Sequence, residues 1–225
     1  MSPDFFRPLK ASAEFMILRH GESEGNASQI LQGHQEYPLT EKGKQQAAAR
    51  GRALIPHVSG AREGSIKLYS SPQGRARETA EIIAQEAGLQ EPVFMEDLME
   101  LNLGIWTGKL FSQLVDEDLA LWENFQSRSW DAIPGAEPSK DLYERALRVW
   151  TTLKEAAVEG AEKCIVITHG GLIQWLVKRS FQCQTWFPLI PISNCGLFRL
   201  RVVPNAIGNP ALFWDEMNTP LDSPF

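Results

Sequence analysis

Short apolar runs separated by amphipathic segments organise the chain. Residues 15–18 form the first run, and its continuous apolar character predicts a buried strand of the parallel type. Residues 66–69 and Lys163–Thr168 predict two further strands. Residues 196–203 and 211–214 predict two late strands at an edge of the sheet.

Between the strands, apolar residues recur at the spacing of one helix face. This spacing predicts helices over residues 41–55, 74–87, 111–125, 139–158 and 171–181. Thr40 and Ser139 are placed to cap the first and the fourth of these helices. Pro56 is expected to close the first helix, and Gly88 to end the second.

The alternation of strands and helices determines the predicted fold class. It indicates an α/β protein, a three-layer sandwich with a mostly parallel central sheet and helices on both faces. A length of 225 residues suits a single domain over residues 1–225. Residues 109–138 are less regular, and we expect a variable, lid-like segment there.

Composition excludes several classes of partner. The net charge of −6 and the lack of a lysine-rich block argue against nucleic acid. No window approaches the roughly 18 continuous apolar residues of a membrane span, and the first residues lack a signal-peptide core. Three widely spaced cysteines predict reduced thiols, so we expect a cytoplasmic protein. A small phosphate ligand stays open, because a few arginines can make one cleft positive.

Two histidines stand where predicted strands end. Arg19-His20-Gly21 follows the run at residues 15–18, and His169-Gly170-Gly171 follows Lys163–Thr168. Ligands of open parallel sheets bind beyond the carboxyl ends of the strands, so the two segments predict one active site. A neutral imidazole can attack phosphorus, and an adjacent arginine can hold the anion. For either histidine alone, a satisfied structural residue at a strand end is the alternative.

Arg75 and Glu100 extend this candidate site. Arg75 lies in the first turn of a predicted helix, where a cation opposes the helix dipole, so a compensating role is expected. Glu100 lies among apolar residues and can act as a general acid toward a leaving alkoxide. A surface glutamate is the alternative for Glu100.

Five segments occur in a characteristic order between about residues 15 and 171. They are Arg19-His20-Gly21 with Asn26; Pro38-Leu39-Thr40 with Gly43 and Gln46-Ala47; Ser70-Ser71-Pro72 with Arg75-Ala76 and Thr79-Ala80; Glu100 with Gly104, Trp106 and Gly108; and Thr168-His169-Gly170-Gly171. Together they resemble the histidine phosphatase superfamily, also called the phosphoglycerate mutase-like family.

The resemblance implies a role for each matching residue. His20 corresponds to the nucleophile that becomes a phosphohistidine, and Glu100 to the proton donor for the leaving group. Arg19, Arg75 and a cationic His169 correspond to the phosphate pocket. The remaining implied substrate or phosphate contacts are Asn26, Gln32, Gly33 and Gly170. No metal and no cofactor is implied.

Two departures from the family pattern affect the substrate side of the site. Many members have PGGES before the long helix, whereas this chain has Pro134-Gly135-Ala136-Glu137-Pro138, so the contribution of this segment stays open. Many members also have an arginine between Asn26 and the following Gln-Gly, and residues 27–31 contain none.

The resemblance does not distinguish a phosphatase, which transfers the phosphoryl group to water, from a phosphoglycerate mutase, which transfers it to a phosphoglycerate. Residues 109–134 are short, and Asp116-Glu117-Asp118 makes them acidic, which favours water over an anionic bisphosphoglycerate. We therefore expect a hydrolase of small-molecule phosphomonoesters that acts as a monomer or homodimer. A cofactor-dependent phosphoglycerate mutase is the first alternative. An inactive phospho-ligand-binding or interaction domain is the second, although both histidine segments are intact.

Seven tryptophans suggest a stacking ligand, but most fit core positions. Trp122, Phe125 and Trp130 lie in the variable segment and are expected to contact the organic part of the substrate.

Overall fold

The computed structural model describes residues 1–2 and 4–221, and its strands form one sheet. The strands are β1 Ala13–Arg19, β2 Ile66–Ser70, β3 Val93–Phe94, β4 Lys163–Thr168, β5 Leu197–Val203 and β6 Ala211–Thr219. Their order is β3-β2-β4-β1-β5-β6, with β5 antiparallel to both of its neighbours and the other pairs parallel. The predicted mostly parallel sheet and the edge position of the last strand are confirmed.

The helices alternate with these strands along the chain. They are α1 Glu24–Ala27, α2 Glu41–Val58, α3 Gly74–Ala87, α4 Leu114–Glu117, α5 Leu119–Arg128, α6 Ser139–Val158 and α7 Gly170–Ser180. Short 3-10 turns occur at Glu96–Leu98, Gly104–Trp106, Phe111–Gln113 and Ser129–Ala132. In the part of the chain described here, no helix combines the length and the hydropathy needed to cross a membrane.

Two apolar cores lie on opposite faces of the sheet. Alternate side chains of a strand point to opposite faces, so Phe15 and Ile17 join one core while Met16 and Leu18 join the other. On the first face the strands pack against α6 and α7, which contribute Leu142, Val149, Trp150, Leu172 and Trp175. On the second face they pack against α2 and α3, which contribute Leu54, Ala76, Ala80 and Ile83. The predicted three-layer sandwich is therefore confirmed.

Two predicted helix termini are wrong. Pro56 does not close α2, which continues to Val58, because a proline near a helix end removes only one backbone donor. Ser139 is not a cap but the first residue of α6. Its N–H donates to the carboxylate of Asp131 at 2.8 Å, so an acidic side chain from the preceding segment satisfies this end.

The single helix predicted over residues 111–125 is also wrong. A 3-10 turn ends at Gln113 and α4 ends at Glu117, the helical backbone is interrupted at Asp118 (φ −156°, ψ 88°), and α5 begins at the next residue. The Asp118 carboxylate accepts the N–H of Leu121 at 2.9 Å and so caps the new helix. The side chain that caps α5 thus fixes the break between the two helices.

Candidate active site

His20 and His169 lie side by side at the carboxyl ends of two paired strands. β1 and β4 are parallel neighbours with Arg19 opposite Thr168, and the His20 N–H donates to the Thr168 carbonyl at 3.0 Å. The imidazole centroids are 5.1 Å apart. Strand pairing thus brings together residues separated by most of the chain.

Two glycines fix the path of the chain beyond His20. A Cβ on Gly21 would clash with the backbone carbonyl of Gly43, and a Cβ on Gly43 would clash with the carbonyl of Glu22. The loop after β1 therefore lies directly against the first turn of α2. This close approach explains why both positions are glycine.

The hydrogen bonding of His20 determines which ring nitrogen is free. Its Nδ1 lies 2.7 Å from the Gly21 carbonyl, which can only accept, so Nδ1 carries the proton. Burial, and then Arg19 and Arg75, hold the pKa of His20 well below its usual value, against a smaller opposite effect of the Gly21 carbonyl. The ring is therefore neutral, with an unprotonated Nε2 that is suited to nucleophilic attack.

His169 lies deeper than His20 and is fully buried. Its Nε2 is 2.8 Å from the hydroxyl of Ser71, which follows β2 on the other side of β4. Burial, followed by Arg75 and His20, holds the pKa of His169 well below its usual value. The expectation of a cationic His169 is therefore wrong for the free protein, and the positive charge of the site comes from Arg19 and Arg75.

Backbone carbonyls orient the two arginines. Arg75 donates to the carbonyls of Gly33 and Gln35, both at 2.9 Å, and Arg19 donates to the carbonyl of Ile192 at 2.8 Å. Among the described residues, the Nε atoms of both arginines and the Nδ1 of His169 are buried without a hydrogen-bond partner. Buried polar atoms without a partner are uncommon, and these three surround His20. An anion bound in the cleft would supply acceptors for the two arginines, which line it.

The Glu100 carboxyl group is held at the same cleft. Its Oε1 accepts the N–H of Leu101 at 2.9 Å, and its Oε2 accepts the N–H of Gly171 at 3.3 Å. A Cβ on Gly171 would lie 2.5 Å from Oε1 and 2.7 Å from the Leu101 Cδ1, so a side chain at this position would displace the Glu100 carboxyl group or Leu101. Gln73 accepts the Glu100 N–H at 2.7 Å, and the exposed His34 donates to the Glu100 carbonyl at 2.8 Å.

The structure brings every predicted site residue except His169 to the wall of one cleft of about 310 Å³. These residues are Arg19, His20, Asn26, Gln32, Gly33, Arg75, Glu100 and Gly170. His169 lies beneath this wall, against His20. The Asn26 Oδ1 accepts from Ser23 and Asn194, and the Gly33 carbonyl accepts from Arg75 and Gln73. Gly33 therefore orients Arg75 as well as lining the cleft.

Apolar side chains form much of the remaining cleft wall. They belong to Ile30, Leu31, Leu103, Trp130, Trp186, Leu189, Ile190 and Ile192. Asp116-Glu117-Asp118 is absent from the described lining, so the expectation that these acidic residues disfavour a bisphosphoglycerate at the site is wrong. Glu117 pairs with Lys109, and Asp118 caps α5. Residues 135–138 line a separate polar groove that shares no described lining residue with the cleft.

Sequence reasoning missed two residues that support the site. Gln73 is buried and bridges the Gly33 carbonyl and the Glu100 N–H. Asn194 donates to the His20 carbonyl at 3.1 Å and to Asn26 at 3.2 Å. Gln73 lies within the Ser-Ser-Pro segment, which could have indicated it. Asn194 lies in an irregular loop that carries no sequence signal.

Comparisons with known proteins find relatives of this chain. A model of the histidine phosphatase superfamily (branch 1) matches residues 15–208. The phosphoglycerate mutase-like protein 4 of Arabidopsis thaliana is 32% identical over 191 residues, which cover 84% of this chain and 80% of that protein.

Two solved structures share the fold. Mycobacterial hydrolase 1 superposes with a TM-score of 0.79 at 22% identity and covers 92% of this chain and 99% of its own. A phosphoserine phosphatase from Entamoeba histolytica, in complex with phosphoserine, superposes with a TM-score of 0.73 at 21% identity. The match covers 92% of this chain and 97% of that chain.

Proposed function

Because the chain belongs to the histidine phosphatase superfamily, we propose that it hydrolyses small-molecule phosphomonoesters through a phosphohistidine on His20. The observation that carries this proposal is the distribution of charge in the cleft. Arg19 and Arg75 are the cationic side chains among the described residues that line it, and both act on His20. The cleft therefore offers one site for one phosphate group.

In the first step His20 is the nucleophile. Its unprotonated Nε2 attacks phosphorus, the N–P bond forms, and the bond from phosphorus to the ester oxygen breaks. Glu100 donates a proton to the leaving oxygen. Arg19 and Arg75 neutralise the phosphoryl oxygens, which is the main requirement of phosphoryl transfer.

In the second step water releases the phosphate. Water attacks the phosphohistidine, Glu100 takes a proton from that water, and the N–P bond breaks to return the neutral imidazole of His20. The backbone N–H groups of Leu101 and Gly171 keep the Glu100 carboxyl group in one orientation for both transfers. Asn26 uses its Oδ1 within the protein, so its amide N–H₂ is the group it offers to a phosphate oxygen.

The cleft favours hydrolysis over mutase chemistry. A phosphoglycerate mutase handles an intermediate with two phosphate groups, and the second needs its own positive charge. Beyond Arg19 and Arg75, the described lining is apolar apart from His20, neutral amides and Glu100. The mutase remains the second candidate, because the relative from Arabidopsis thaliana is named phosphoglycerate mutase-like.

Assays of the purified protein test this proposal. We expect release of phosphate from 4-nitrophenyl phosphate, loss of that activity in His20→Ala, and little effect of EDTA. Full activity in His20→Ala, or loss of activity on chelation, would contradict the mechanism.

A mutase assay separates the two enzymatic candidates. With 3-phosphoglycerate and a trace of the bisphosphate, we expect negligible formation of 2-phosphoglycerate, and robust interconversion would favour the mutase. Rapid quenching with a radiolabelled phosphomonoester should trap an acid-labile label on the protein. A protein that takes no label from any phosphate donor would instead be an inactive binding domain.

A further inference from the structure

A second cavity shares part of its wall with the cleft. We call it the aromatic pocket; it has a volume of about 430 Å³. The walls that belong to it alone are Trp106, Phe111, Trp122, Phe125, Gln126 and Phe187. Gln126 is the single polar side chain in the described lining, and none of these side chains is charged.

The aromatic pocket adjoins the catalytic cleft. Leu31, Trp130, Trp186 and Leu189 line both of them. A molecule with its phosphate group at His20 and Arg75 would have to pass these four side chains to reach the aromatic pocket. Neither arginine belongs to the described lining of the aromatic pocket.

The rings that form the aromatic pocket hold one another in place. Phe125 packs edge-on against Trp106 and Trp130, with centroids 4.9 and 5.0 Å apart, and Phe111 packs edge-on against Trp122 at 5.6 Å. Such mutual packing gives a preformed apolar surface rather than a collapsed one.

Large apolar side chains also remain exposed at this pocket. Phe111 and Leu189 are each 52% exposed, and Phe187 is 38% exposed. Clustered exposed apolar residues next to a polar site mark ligand-binding surfaces. A carboxylate or second phosphate placed here would lose water without gaining a cationic partner, whereas an apolar group gains free energy from burial.

We propose that the aromatic pocket is the leaving-group subsite, and that the substrates are phosphate monoesters of apolar alcohols whose alkyl or aryl body fills it. This proposal rests on the phosphatase function proposed above. It excludes phosphorylated hydroxy acids and sugar phosphates as preferred substrates. The apolar body supplies binding energy, and Arg19 and Arg75 hold the phosphate.

A series of n-alkyl phosphates from ethyl to octyl tests the subsite, because the leaving-group chemistry is nearly constant along the series. Full burial of a methylene is worth roughly fourfold in affinity, so kcat/KM should rise by about thirtyfold or more from ethyl to octyl phosphate. The same rise is expected in the affinity of non-hydrolysable alkylphosphonates measured by titration calorimetry. An equal kcat/KM for ethyl and octyl phosphate would overturn the subsite.

Two variants confine the effect to the aromatic pocket. Gln126→Trp should fill the pocket and lower kcat/KM for octyl phosphate by about tenfold or more, with ethyl phosphate changed by less than about twofold. Phe111→Asp, which replaces an exposed ring with a charged group, should also lower kcat/KM for octyl phosphate with little effect on ethyl phosphate. Asn124→Trp, on the same helix but outside the pocket, is the matched control. Equal effects of Gln126→Trp on both esters, or none on either, would contradict the proposal.

Binding and turnover distinguish the two proposals. If no monoester is hydrolysed but phosphonate affinity still rises with chain length, the phosphatase function fails and the apolar subsite stands. If His20-dependent hydrolysis occurs with phosphonate affinity independent of chain length, the subsite fails and the phosphatase function stands.

Discussion

Arg145 on α6 donates from Nε and one terminal nitrogen to the two carboxylate oxygens of Glu137, at 2.8 and 2.7 Å. Its other terminal nitrogen donates to the carbonyls of Met99 and Asp97 at 2.6 and 3.2 Å. One buried guanidinium thus joins the segment at residues 134–138 to the residues just before Glu100. In this chain, that segment braces the proposed acid–base residue from outside the cleft.

The first prediction concerns this brace. Arg145→Met leaves Glu137 without its partner and frees the Met99 carbonyl, so we expect a loss of about 3 kcal/mol in the free energy of unfolding. Because Glu100 follows Met99 directly, kcat/KM for 4-nitrophenyl phosphate should also fall by about tenfold or more. Urea unfolding and steady-state kinetics measure the two effects.

The neighbouring Arg148 provides the control for this brace. It lies on the same helix as Arg145 and makes an exposed pair with Asp97, so Arg148→Met should lower the free energy of unfolding by less than about 1 kcal/mol. Similar losses in the two variants would show that Arg145 has no special positioning role.

The second prediction uses two adjacent glycines at the start of α7. A Cβ on Gly171 would lie 2.5 Å from the Glu100 Oε1, whereas a Cβ on Gly170 would have its nearest contact, the Arg19 Nε, at 3.6 Å. Gly171→Ala should therefore displace the Glu100 carboxyl group and lower kcat by roughly a hundredfold, since small misplacements of a proton donor are costly. Gly170→Ala should retain most of the activity. A larger loss of kcat in Gly170→Ala than in Gly171→Ala would contradict the proposed contact between Gly171 and the Glu100 carboxyl group.

The third prediction concerns stability at acid pH. The pKa values of His20 and His169 are lowered on folding, mainly by burial, so the unfolded chain binds protons that the folded protein does not. Their contribution to stability is complete above the usual histidine pKa of about 6.5 and decreases as the pH falls below it.

Variants that remove the histidines should show this dependence directly. Each of His20→Gln and His169→Gln should reduce the slope of unfolding free energy against pH, between about pH 5 and 6, by up to about 1.4 kcal/mol per pH unit. Urea titrations across this range provide the measurement, and the double variant should lose more slope than either single one. If the two single variants and the double variant all keep the wild-type slope of unfolding free energy against pH, the pKa values of His20 and His169 are not lowered in the folded protein.

The fourth prediction concerns Arg75. Its guanidinium donates to the carbonyls of Gly33 and Gln35 while lining the cleft, and a lysine cannot reproduce this forked geometry. Arg75→Lys should therefore lower kcat/KM by roughly a hundredfold despite keeping the charge. Arg77→Lys is the control, because Arg77 is an exposed residue of the same helix and stacks on Phe94. Wild-type kinetics in Arg75→Lys would mean that charge alone is sufficient.

Much of the local structure follows from short-range pattern. The apolar run before His20 and that before His169 identify β1 and β4, and the left-handed Gly88 ends α3 as predicted. The predicted ends failed where a side chain from another segment intervened, as Asp131 does at α6. The break at Asp118 depends on a capping hydrogen bond that helical periodicity does not reveal.

The sequence by itself determined the kinds of residue at the site, because strand ends, glycines and charged side chains are local features. The tertiary structure alone decided their states: burial beside Arg19 and Arg75 makes His169 neutral, which its position at a strand end could not show. The tertiary structure also decided which side chains line the cleft: Trp130 and Leu31 line it, and the acidic residues that the sequence suggested do not. Burial and pairing depend on segments far apart in the chain, so the protonation and polarity of a cleft become defined only when those segments pack together.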